Sequence, residues 1–230
     1  MPRFSDNSVD IARFTGVEER ERFLMATFGS QEQLWETLDV LWFDPNSRRL
    51  TGAEFQMPGE SASAEDTARV TSLPAVRQGG LRADEVRDFR LEMCEVLCRT
   101  PGDTVLTGLR DRDVLNEPLE ARIGIAPDVA LLVQHGTVVG WSLTDPARYL
   151  AQAFAAPDPN PPFPATRRLL TECLNLITEP LIDDVMDGEP AALARLRAAD
   201  QALRTQHEDR SRADALLALI ANLVEDHRNW

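Results

Sequence analysis

Lysine is absent: the 24 basic side chains among the 230 residues are all arginine. Without an ε-amine, no side chain here can accept an isopeptide or acyl modification. Codon drift in a GC-rich bacterial genome accounts for the bias, with selection against the amine as the alternative. Cysteine is scarce and odd in number, at Cys94, Cys98 and Cys173. In a chain of this length that pattern excludes a disulfide framework and fits a reducing compartment, so cytoplasm is the expected location. Histidine occurs only at His135, His207 and His227. No apolar run reaches the length of a bilayer-spanning helix. The first twenty residues carry Asp6, Asp10, Glu18 and Glu19 with no apolar stretch, and do not read as a secretory signal.

Motifs are missing too. No glycine pattern fits a dinucleotide or phosphate loop, and neither Gly-x-Ser-x-Gly nor His-Glu-x-x-His occurs. No catalytic residue is therefore assigned, and no cofactor or metal is expected. Aromatic platforms interleaved with basic residues are likewise absent. The net charge of −14 disfavours phosphate backbones and anionic membranes, so neither nucleic acid nor membrane is expected as a partner.

Apolar residues at 43% and charged residues at 27% describe an ordinary globular chain with a substantial core. Aromatic residues crowd residues 1–56, at Phe4, Phe14, Phe23, Phe28, Trp35, Trp42, Phe43 and Phe55, and read as core. Thr15–Glu18 has the form of a capping box, so a helix is expected from about Gly16 to Phe28, ended by Gly29. A second box at Ser30–Gln33 opens a helix carrying Leu34, Leu38, Leu41 and Trp42, with a strand at Val40–Phe43 as the competing reading. Asp44–Ser47 is a turn. Residues 57–80, rich in Pro, Gly and Ser, read as a long loop or linker.

Residues 81–155 are expected to form an α+β core. Val86, Phe89, Met93 and Leu97 predict an amphipathic helix from Asp84, ended by Pro101-Gly102. Strands are expected at Thr104–Leu109, at Leu119–Ile125, and at Val129–Gln134 and Thr137–Leu143 around a His135-Gly136 turn. Asp145-Pro146 opens a helix to about Phe154. Residues 156–164 hold five prolines and must be extended. Residues 165–230 read as helical, broken at Glu179-Pro180 and ending in a helical hairpin whose last helix is capped by Ser211–Asp214. The expected class is α+β: helix-rich at about three to one over strand, with a small antiparallel meander at about 104–143 flanked by helices, as one compact unit.

Candidate chemistry is thin. Cys94 and Cys98, four apart on the expected helix, could share a metal, but no second ligand pair stands at zinc spacing, and burial is the simpler account. A Cys94–His135 dyad requires the helix to meet the hairpin. Glu172, Glu179 and Asp183, with Asp187 nearby, would form a carboxylate stripe on an unbroken helix, on its watered side. His207 and His227 suit helix ends. The leading expectation is a non-catalytic binding or adaptor protein working through protein–protein contacts, with another protein or by self-association. The alternatives are an enzyme whose site draws on Cys94, His135, Asp145 and the 57–80 loop, or an acidic mimic of nucleic acid.

Overall fold

The structure, a computed structural model, describes residues 1–5, 7–12, 14–29, 38–70, 74–89 and 91–227. It is an α+β fold, 38% helical and 27% strand. Helix thus exceeds strand far less than the three-to-one ratio expected, because the first third supplies a five-stranded sheet and the helix expected from Asp84 does not form.

Five strands form an antiparallel first sheet: β1 (Arg3–Ser5), β2 (Ser8–Asp10), β3 (Phe28–Gly29), β4 (Val40–Phe43) and β5 (Leu50–Gln56), in the order β1-β2-β5-β4-β3. The helix expected through Phe43 is corrected to the competing strand; its opening box and Leu34 lie outside the described residues. Burial explains the outcome. Leu41 and Phe43 enter one core cluster while Val40 and Trp42 enter another on the opposite face, and alternation between two dry faces requires a period of two. Asp44–Ser47 makes the expected turn, with the Asp44 carboxylate accepting from the backbone N–H of Asn46 and Ser47.

Helix α1 (Val17–Ala26) forms as expected but lies on the surface, dipping only Phe23 and Leu24 towards Phe14 and Trp42. Its start differs: Thr15 donates through both N–H and hydroxyl to Glu19, one position beyond the expected box partner. Gly29 is a strand residue, where a Cβ would strike the Leu41 carbonyl.

The second sheet holds β6 (Glu60–Ser61), β7 (Val76–Gln78), β8 (Val96–Arg99), β9 (Val105–Leu109), β10 (Ala121–Ala126), β11 (Val129–Gln134) and β12 (Thr137–Thr144), in the order β6-β8-β9-β12-β11-β10-β7. The hairpin turn falls where predicted, pairing Gln134 with Thr137 around His135 and Gly136, both at positive φ. The meander is larger than expected and differently ordered: β9 pairs with β12, not with β10. The 57–80 segment is not a plain loop, since it supplies β6, β7 and α2 (Ala64–Val70). The start of α2 was encoded in Ser63–Asp66: the Ser63 hydroxyl accepts from the Asp66 N–H and donates to its carboxylate.

The helix expected from Asp84 does not form. The described part of this stretch runs irregularly between the sheets, the Phe89 N–H bonding to Gly29 and the Ala83 N–H to Arg48 of the first sheet. It then enters β8, where Leu97 faces the main core and Val96 and Cys98 the opposite one. The helix expected from Pro146 shrinks to a single 3-10 turn, Pro146–Tyr149. Beyond it β1 captures the chain, Phe4 bridging Leu150 and accepting from the Ala151 N–H.

The main core lies between the sheets and against the C-terminal helices. Phe55 stacks on Trp141 across it at 5.8 Å. Gly108 lies beneath that indole, where a Cβ would come within 2.6 Å of the ring, so a close approach, and not a turn, requires glycine there.

The helical end follows expectation in content: α3 (Pro164–Leu176), α4 (Leu181–Met186), α5 (Pro190–Thr205), α6 (Arg210–Leu219) and α7 (Ala221–Asp226), with a break at Glu179-Pro180. The last helix is divided at Ile220, and Ser211 lies inside α6, whose N-cap is Asp209. Among the described residues no helix is long and apolar enough to cross a membrane.

Candidate functional site

In the main core the thiol of Cys94 meets the carboxyl group of Asp39. Asp39 immediately precedes β4 and is only 2% exposed. Its carboxylate accepts from the Gln56 N–H at 2.8 Å and the Cys94 N–H at 3.3 Å, and the Cys94 thiol also bonds to it. It thereby ties the first sheet to the strand entering the second. Burial raises the Asp39 pKa to about 6, against the lowering effect of those hydrogen bonds. Burial first, and the neighbouring carboxylate second, push the Cys94 thiol well above its ordinary range. A thiol so placed is held protonated, the reverse of an activated nucleophile.

The other expected residues are scattered. Cys98 faces the second core cluster and Cys173 is fully buried in α3, each pushed by burial to a pKa of about 12. Cys94 and Cys98 therefore lie on opposite sides of the second sheet. His135 sits at the hairpin tip with its side chain 70% exposed, bonded to Glu117 at 2.7 Å; a buried Cys94 cannot form a dyad with it. Asp145 pairs with Arg167 of α3 at 2.5 Å. Glu172 is clasped through both carboxylate oxygens by Arg195 of α5, while Glu179 and Asp183 fall beyond the end of α3, so the carboxylate stripe is broken. His207 is exposed after α5 and His227 half-buried after α7. Among the described residues no group of three or more His, Cys, Asp or Glu is placed to hold a metal ion.

Sequence reasoning missed the buried ionic struts. Arg3, 5% exposed, pairs with Asp10 and donates to the Phe14 carbonyl. Arg99 on β8 forks onto Asp103 at 2.7 and 2.9 Å and reaches Asn175 and the Thr171 carbonyl of α3. Arg212 and Asp209 join α6, α3 and the proline-rich strap. Of these contacts only Asp209–Arg212 stands at a helical spacing where an α-helix forms, three residues apart as α6 begins.

A groove of about 450 Å³ opens between α2 and the 3-10 turn Arg112–Asn116, with Arg69 and Pro74 on one side and Val114, Glu117 and Leu119 on the other. The 57–80 segment thus contributes to the groove, while His135 stays outside it, bonded to Glu117 of its rim. Cys94 and Asp145 do not line it. Comparison with protein-family models, curated proteins and solved structures finds no significant match for this chain.

Proposed function

We propose that this is a non-catalytic binding or adaptor protein of the bacterial cytoplasm, acting through protein–protein contacts. The observation that supports the reading is where the reactive groups lie. All three thiols are buried and held protonated, Cys94 with the added push of the Asp39 carboxyl group, and buried carboxylates and guanidiniums such as Asp39, Arg3, Arg99 and Arg212 bond to backbone and neighbouring elements, as architecture requires. The surface carries large apolar side chains suited to a partner, with Met25 88% exposed, Val17 61% and Met186 58%. With its −14 charge the chain favours a partner surface bearing arginine or lysine.

Light scattering after photochemical or carboxyl-directed cross-linking in the native cell tests this; amine-directed reagents find no side-chain target. A complex of defined stoichiometry, weakened by salt, is expected. A strict monomer with no cross-linked partner contradicts the proposal.

A further inference from the structure

One arginine breaks the pattern of the others. Arg3, Arg99 and Arg212, withdrawn from water, each hold a carboxylate, as buried charge ordinarily must. Arg122 on β10 does not. Among the described residues its side chain makes one hydrogen bond, from Nη2 to the Ser142 hydroxyl at 3.1 Å, and its Nε, like that of Arg212, is buried with no partner.

The register explains how it is held. Thr107, Ser142, Ala130, Gly124 and Gln78 stand side by side across β9, β12, β11, β10 and β7, forming one row on one face of the sheet. Arg122, two residues from Gly124 along β10, shares that face, and its side chain crosses the low Ala130 floor to Ser142. Ser142 and Thr107 are each 1% exposed, so the hydroxyl under the guanidinium is fixed. The Ser142 oxygen accepts from Arg122, leaving its own proton to donate. Beyond the row β7 is an exposed edge strand. Withdrawal from water is the sole influence lowering the Arg122 pKa, with no carboxylate opposing it.

We propose that Arg122, steadied by Ser142, is a recognition point for a carboxylate ligand. The Nη edge of the guanidinium, which makes no other bond, would receive the two carboxylate oxygens, a geometry that planar guanidinium matches. The carboxylate can belong to a free small acid or to the end of a peptide chain, and the experiment separates the two.

Arginine Nε–Hε NMR signals of the full chain would be followed during titration with sodium acetate, ionic strength held by chloride. A parallel series would use a neutral tripeptide with a free C-terminus beside its amidated twin. Arg122→Gln assigns the signal. Saturable movement with acetate identifies a small acid; movement with the free-acid tripeptide alone identifies a chain end. In either case Ser142→Ala should weaken apparent affinity by about tenfold, a readout that survives if Arg122→Gln folds poorly. A signal that drifts without saturating, as for the surface arginines Arg77 and Arg82, or an affinity unchanged in Ser142→Ala, would overturn the proposal.

Discussion

Arg212→Met is expected to lower folding stability by about 3–5 kcal/mol, the cost of leaving a buried charge without its partner. Arg212 is 1% exposed, and its Nη1 donates to Asp209 at 2.9 Å. Its Nη2 donates to the carbonyls of Asp158 and Asn160 at 2.8 and 2.5 Å. Asp209, 4% exposed, also accepts from the Thr166 hydroxyl at 2.6 Å and the Phe163 N–H at 3.3 Å. The pair thus pins the strap of residues 156–164 to the first turns of α3 and α6. Removing the cation strands Asp209 and two carbonyls. Urea denaturation followed by circular dichroism measures the loss. Asp209→Asn combined with Arg212→Met should recover part of it, since no charge is then left unpaired. A single variant within about 1 kcal/mol of the parent, the range of an exposed ion pair, would show that the strap is held by something else.

The second large effect is a dependence on pH. The carboxyl group of Asp39 holds its proton more tightly in the folded chain, at a pKa of about 6 against 3.8 for the free side chain. Its contribution is therefore fully present below pH 3.8 and is lost as pH rises through about 6. The shift corresponds to about 3 kcal/mol. Exposed carboxylates such as Asp44 and Asp158 are lowered by local hydrogen bonds and act in the opposite sense, so the overall profile mixes the two. Asp39→Asn isolates the effect. Whatever the substitution costs in acid, the variant should gain about 3 kcal/mol relative to the parent between about pH 3 and pH 7. A difference constant across that range would contradict the placement of Asp39 between the sheets.

What the sequence revealed follows from which signals are local. The His135-Gly136 hairpin, the proline-rich strap and the C-terminal helices rest on neighbouring residues, and each appears, with only the cap and the division of the last helix differing. The N-terminal sheet does not announce itself, because strands buried on both faces, such as Val40–Phe43, show an unbroken apolar run that also suits a helix. The Asp84–Cys98 stretch misled for a further reason. Val86, Phe89, Met93 and Leu97 repeat at helical spacing, yet Val86 is 55% exposed, and part of the backbone there bonds across to the first sheet. The sites were less legible still: Asp39 and Cys94 are 55 residues apart, and Arg122 and Ser142 are 20. Strand register and sheet stacking alone bring them together.

We propose that the three thiols of this chain serve its core as packing and not as nucleophiles. Titration of the native protein at neutral pH with a disulfide reagent that reports thiolate release decides this. Cys94, Cys98 and Cys173 should all stay silent until denaturant is added, and then react together. One thiol modified in the folded chain as fast as free cysteine would reveal an accessible nucleophile and contradict the account.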